Sequence, residues 1–198
     1  MASWLFVVAA YLIGSVSFAV VVSKLFSLPD PHSYGSGNPG ATNVLRTGNK
    51  VAAVLTLLGD GAKGWLAVFL AQQFGPQAGV EPWTLAAVAL AVFLGHLFPV
   101  YHKFRGGKGV ATAAGIMLGL NLWLAATTFG VWFLIAIIFR ISSVGALAAA
   151  ISAPIFAFYF MGNDARAWVF VPIAALLVWR HKGNIQKLLH GKETSIGR

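Results

Sequence analysis

Two stretches of this chain, residues 1–23 and 109–139, contain no Asp, Glu, Lys or Arg. A helix needs about 20 apolar residues to cross a hydrocarbon core of roughly 30 Å, so runs of this kind place the chain in a bilayer. The composition agrees. Only 10% of residues are charged and 58% are apolar, whereas soluble domains carry roughly 25% charged residues. The net charge of +9 would suggest nucleic acid elsewhere, but no polar surface remains on which to spread such a footprint, so no nucleic-acid partner is expected. Cysteine is absent. Disulfide scaffolds, thiolate metal sites and thiol nucleophiles are thereby excluded.

Polar punctuation divides the chain into apolar segments at 1–23, 51–73, 83–100, 144–161 and 166–180, with the long run 109–139 between 83–100 and 144–161. That run would make a helix of about 46 Å, too long for one upright crossing. Lys108 and Arg140 bracket it, and a turn near Gly119-Leu120-Asn121 keeps both basic ends on the same side. The expected architecture is an all-α, polytopic helical bundle of about seven transmembrane or half-spanning helices. It forms one domain over 1–198, and a five-span arrangement preserves the same inner loops. Lys24 follows the first apolar run and no basic residue precedes that run. The N-terminus is therefore expected outside and the C-terminus inside, with Trp4 as an interfacial anchor. Gly95, Gly115, Gly119 and Gly145 suit close helix contact in lipid.

Unusual chemistry gathers in the inner loops. The first reads Gly35-Ser36-Gly37-Asn38-Pro39-Gly40-Ala41-Thr42-Asn43-Val44-Leu45-Arg46. Glycines permit close backbone approach to a ligand, and successive N–H groups in such a loop form an anion-binding concavity. Thr42 or Asn43 is expected to cap a helix leading into the second span. Arg46 supplies a planar fork for phosphate oxygens. The plain alternative is a flexible turn with an anchoring cation. The second loop, Gly106-Gly107-Lys108-Gly109, lacks the spacing of a nucleotide P-loop, yet a glycine nest with a lysine point charge still suits phosphate. Membrane-surface electrostatics from Lys103, Arg105 and Lys108 is the competing account.

The tail contains His181 and Asn184, which share a face if the helix continues. Asn184 reads equally as the N-cap of a short amphipathic helix ended by Gly191. Within the second span, Asp60 and Lys63 lie one helical turn apart. An ionisable residue in a span is a functional candidate by default, although an internal ion pair explains this one equally well. His96 reads as a packing histidine, and His32 and His190 receive no role.

Four motifs carry a resemblance: GSGNPGATNVLR at 35–46, LGHLFPV at 94–100, GGKGVAT at 106–112 and RHKGNIQKLLHGKE at 180–193. In this order they closely resemble the bacterial membrane acyl-phosphate:glycerol-3-phosphate acyltransferase family (PlsY). The resemblance implies transfer of a fatty acyl group from acyl phosphate to the 1-hydroxyl of sn-glycerol 3-phosphate, the first acylation of bacterial phospholipid synthesis. The products would be lysophosphatidate and phosphate. It points to Ser36, Arg46, Lys108, His181 and Asn184 as catalytic. Gly35, Gly37, Asn38, Gly40, Thr42, Asn43, Gly106, Gly107, Gly109, Ser142 and Ser143 are expected to line the substrates. Glu193 matches a structural glutamate. Thr194-Ser195-Ile196 departs from the family's basic continuation. No cofactor or metal is implied; the expected partners are the two substrates, the lipid bilayer and a soluble enzyme that produces acyl phosphate. The expected location is the bacterial inner membrane, with the site on its cytoplasmic face.

Direct attack of the acceptor hydroxyl on the mixed anhydride is the expected mechanism, with either His181 or a donor phosphate oxygen taking the proton. A covalent acyl-Ser36 route is less attractive because no His-Asp relay accompanies it. A thioester-dependent acyltransferase with an H-x-x-x-x-D motif does not fit. His32, His96, His102, His181 and His190 are followed at the fifth position by Gly37, Tyr101, Gly107, Gln186 and Ser195. Two non-acyltransferase alternatives remain at this stage, a transporter for an organic phosphate and a lipid-binding scaffold.

Overall fold

The computed structural model describes residues 2–195, so Ile196 of the divergent tail lies outside the described residues. The described residues form helices and turns with no strand, in two compact units, Met1–Gly119 and Leu120–Arg198.

The first unit begins with α1 (Ser3–Ser15) and α2 (Phe18–Leu25), an apolar run bent by 43° at Val16-Ser17. A short α3 (Ala41–Leu45) follows the polar loop, then α4 (Lys50–Phe74), α5 (Pro82–Leu97) and α6 (Val110–Leu120). Asn49 starts α4 by accepting a hydrogen bond from the Ala52 N–H at 2.9 Å. Thr42 and Asn43 do not cap the route into this span: they lie inside α3, and Gly40 holds its cap position. Lipid offers no hydrophobic force between apolar helices, so close backbone approach must supply the packing. Glycines allow it. A side chain at Gly14 would strike the Val92 backbone, and one at Gly95 the Tyr11 carbonyl, which locks α1 to α5. Gly64 faces the Thr112 carbonyl and Gly115 the Gly61 carbonyl, which does the same for α4 and α6.

In the second unit α7 (Leu122–Phe139) is capped by Asn121, which accepts from the Leu124 N–H at 3.0 Å. The expected break of 109–139 therefore falls at Leu120-Asn121. Arg140, left-handed at φ 54°, turns the chain into α8 (Ser142–Met161), where Gly145 packs on the Trp132 carbonyl. Asp164 caps α9 (Ala165–Trp168), and α10 (Phe170–Arg180) and α11 (Lys182–Leu189) complete the unit.

Four helical segments are long and apolar enough to cross a membrane, Lys50–Phe74, Pro82–His102, Leu122–Phe139 and Ser142–Met161; the bent pair α1–α2 makes a fifth. The other two expected segments are helical but short. At 11 residues each, α6 and α10 reach about 16 Å, half a bilayer. On α7 the outward residues include Leu122, Phe129, Phe133, Leu134 and Ile137, while buried apolar positions among the described residues are dominated by alanine. Large apolar groups outside and small ones inside are the arrangement that lipid favours.

Candidate active site

In the first loop, positive φ at Gly35 (59°) and Gly37 (65°) folds the chain back on α3, a conformation that glycine adopts without steric cost. The loop is organised by Asn43, which is 2% exposed. Its Nδ2 donates to the carbonyls of Pro31 at 2.8 Å and Tyr34 at 3.2 Å. Its Oδ1 accepts from the Ser36 N–H at 3.0 Å, the Ser36 hydroxyl at 3.3 Å and Arg46 Nη1 at 3.3 Å. The amide is thus occupied by its own loop, and it gathers Ser36 and Arg46, both exposed, at one place. A side chain at Gly35 would collide with Asn43 Oδ1 and crowd Arg46. Asn38 joins through its N–H to the Ser36 hydroxyl at 3.4 Å, while Thr42 sits on the exposed side of α3.

The second loop leaves α5 through Val100–His102 and then two consecutive left-handed residues, Lys103 (φ 52°) and Phe104 (φ 59°). Gly106, Gly107 and Gly109 are buried, with Lys108 half-buried among them. Their small size is required by packing as well as by any ligand. The Gly107 N–H donates to the His96 carbonyl at 3.1 Å. A side chain at Gly106 would strike the carbonyls of His96 and Leu97, and one at Gly109 the Phe93 ring. At Gly107 it would meet both the His96 ring and the Pro39 carbonyl of the first loop. The two loops therefore touch.

A second contact between the loops comes from His32. Its Nδ1 lies 2.8 Å from Asp30 Oδ1 and its Nε2 3.0 Å from the Arg105 carbonyl. The ring thereby bridges the Asp30 carboxylate and the Arg105 backbone. Hydrogen bonding from the His32 backbone N–H, opposed by partial desolvation and aided by the imidazole, holds the Asp30 carboxyl below its ordinary range. Sequence reasoning passed over His32. The Asp30-Pro31-His32 spacing, with proline fixing the chain between carboxylate and imidazole, was the available signal.

Asp60 and Lys63 form an ion pair at 2.8 Å, and both are 3% exposed. Lys63 also donates to the Val16 carbonyl at 2.7 Å, and His96 Nδ1 stands 3.5 Å from Asp60 Oδ1. The Lys63 ammonium thus neutralises the Asp60 carboxylate, with the His96 ring beside it. His96 is buried at 8% exposure, but against a carboxylate rather than in an apolar core.

In the second unit one carboxylate oxygen is the organising atom. Glu193 Oε1 accepts from the Ser143 hydroxyl at 2.8 Å and from Asn184 Nδ2. Asn184 does not cap α11: His181 holds that position, and Asn184 lies inside the helix with its amide turned to Glu193. The helix does end as expected before Gly191 (φ 64°), where the Lys192 N–H returns to the Lys187 carbonyl at 2.8 Å and reverses the chain. His181 is 3% exposed, and its Nδ1 donates to the Leu177 carbonyl at 2.8 Å. That bond leaves Nε2 as the acceptor nitrogen of the neutral ring. Ser142 opens α8 beside the buried Ser143.

The structure therefore assembles Ser36, Asn43 and Arg46 beside the Lys108 loop in one unit, and Ser143, Asn184 and Glu193 in the other. Comparison with known proteins is consistent throughout the length of the chain. Residues 4–191 match the family described as glycerol-3-phosphate acyltransferase. A glycerol-3-phosphate acyltransferase of Cupriavidus pinatubonensis is 64% identical over 197 residues, covering 100% of this chain and 98% of the relative. One from Nitrosomonas eutropha is 55% identical over 190 residues, covering 96% of this chain and 95% of that protein. Among solved structures, the glycerol 3-phosphate form of PlsY, an integral membrane glycerol 3-phosphate acyltransferase, superposes with a TM-score of 0.92 at 37% identity; the match covers 100% of this chain and 96% of PlsY. Its lysophosphatidic acid form gives 0.89 at 36% identity, with the same coverage. The chain belongs to the glycerol-3-phosphate acyltransferase family of integral membrane enzymes, of the PlsY type.

Proposed function

We propose that the enzyme acylates the 1-hydroxyl of sn-glycerol 3-phosphate with acyl phosphate as donor, releasing lysophosphatidate and inorganic phosphate. The observation that carries this reading is the contact between two phosphate-suited loops in one unit. Arg46, fixed by Asn43, and Lys108, set among packed glycines, supply two cations where both substrates bring phosphate. No carboxylate-oriented histidine of the H-x-x-x-x-D type is present to serve a thioester donor.

In this mechanism the acceptor oxygen forms a bond to the acyl carbon as the bond from that carbon to the phosphate oxygen breaks, and phosphate leaves with the electron pair. Arg46 and Lys108 offset charge building on phosphate and carbonyl oxygens. The Ser36 hydroxyl orients the reactants, and in the second unit Glu193 holds Asn184 to Ser143. A base must reach the proton it takes. His181 is 3% exposed, which favours a non-bridging oxygen of the donor phosphate as the proton acceptor. The chemistry is assigned to the cytoplasmic side of the bacterial inner membrane, where a soluble enzyme supplies acyl phosphate.

The test is to offer the purified enzyme labelled glycerol 3-phosphate with acyl phosphate, acyl-CoA or acyl-carrier protein in turn. Lysophosphatidate from acyl phosphate alone is expected. Product from a thioester and none from acyl phosphate overturns the donor assignment. Uptake of glycerol 3-phosphate into liposomes without any lipid product would point instead to transport.

A further inference from the structure

The buried charges of α4 have no place in the mechanism above, yet they are costly. Ionisable groups inside a span face several kcal/mol of desolvation, and a buried ion pair is often no more stable than an apolar replacement. Lys63 has a local explanation. The bend between α1 and α2 frees the Val16 carbonyl, and Lys63 Nζ donates to it at 2.7 Å. Asp60 neutralises Lys63, but its surroundings extend further. Its own carbonyl accepts from the Thr112 hydroxyl at 3.0 Å, which ties the start of α6 to α4. Its carboxylate faces His96 Nδ1 at 3.5 Å.

His96 in turn touches the second loop twice. Its carbonyl accepts the Gly107 N–H at 3.1 Å, and its ring edge, Nε2 and Cε1, occupies the space where a side chain at Gly107 would stand. Gly107 immediately precedes Lys108, and Thr112 follows one turn later. The segment presenting Lys108 is thereby held at both ends by groups that converge on Asp60.

We propose that His96, anchored by the Asp60–Lys63 pair, is the positioning residue of the Lys108 loop. It sets where the lysine ammonium stands relative to substrate phosphate. The inference rests on the phosphate-binding role given to Lys108 above. His96 touches no reacting atom in this account. It acts through Gly107, and a displacement of about 1 Å at a catalytic group costs up to a hundredfold in rate.

The experiment is a double-mutant cycle on kcat/KM for glycerol 3-phosphate, with thermal unfolding in detergent as the folding control. His96→Leu fills nearly the same volume but removes the polar ring. It is expected to lower kcat/KM by between about ten and a hundredfold while the protein remains folded. His96→Asn keeps a nitrogen beside Asp60 but lacks the ring edge against Gly107, so it recovers only part of the loss. In a Lys108→Ala background, His96→Leu is expected to add little, because residues acting through one another are not additive. Wild-type kcat/KM for His96→Leu, or losses that multiply in the double variant, overturns the proposal. If His96→Leu does not fold, Asp60→Asn takes its place in the same cycle under the same criteria. Lys108→Ala with undiminished kcat/KM refutes the phosphate-binding reading itself, which distinguishes that failure from failure of the positioning role alone.

Discussion

Replacing Asn43 tests whether the first loop works as a braced unit. Asn43→Ala removes five polar contacts at once and strands the Pro31 carbonyl, the Tyr34 carbonyl and the Ser36 N–H. The bond to Pro31 is fully buried and the other two are partly so. A stranded buried group costs about 1–3 kcal/mol, and water partly serves the half-exposed ones, so about 2–4 kcal/mol is expected in all. Asn43→Asp is nearly isosteric and keeps the acceptor, but it sets a second oxygen against two carbonyls that only accept. It should destabilise the protein at least as much as Ala. Thermal unfolding without substrate reads this directly, and kcat/KM reads the release of Ser36 and Arg46, expected to reach about a hundredfold. A ligand-binding Asn43 would alter substrate affinity and leave the apo protein's unfolding unchanged. Wild-type thermal stability in both variants would refute the bracing argument.

Lys63→Met should cost about 3–5 kcal/mol by leaving Asp60 charged and unpaired in the membrane interior. The double variant Asp60→Leu/Lys63→Met should regain much of that stability without regaining kcat/KM, as thermal unfolding and turnover together will show. Glu193→Gln keeps one acceptor but loses the charge shared by Ser143 and Asn184, a change of about 1–2 kcal/mol that is readable as a lowered Tm. Gly115→Leu drives a side chain into the Gly61 carbonyl and should prevent α6 from seating on α4, seen as loss of folded protein on size-exclusion chromatography. Hydrogen bonds from Arg166 hold the Asp164 carboxyl below its ordinary range. A depressed folded-state value means that the pair stabilises fully above the unfolded value near 4 and loses its effect as pH falls through the folded one. The Tm difference between wild type and Asp164→Asn, worth at most about 1 kcal/mol, should therefore vanish in acid; persistence at low pH would refute the assignment.

The helical segments, the break at Asn121, the close-packing glycines and the loops that carry Ser36, Arg46 and Lys108 were legible in the linear chain. Each depends on local composition: an apolar run must become a helix in lipid because its backbone has no other partner, and a cluster of glycines and cations is visible wherever it falls. Partnerships were not legible. Asn43 read as a cap or a ligand and proved to be the brace of its loop; Asn184 read as a cap and proved to be a partner of Glu193. His96 looked idle because Asp60 lies on another helix, and the inter-loop contact of His32 was hidden because Arg105 lies 73 residues away, although Asp30 stood two residues before it. An amide or imidazole carries no mark of which acceptor it will meet. That choice was made only when helices packed through their glycines and brought Gly107 against His96 and Lys63 against the Val16 carbonyl.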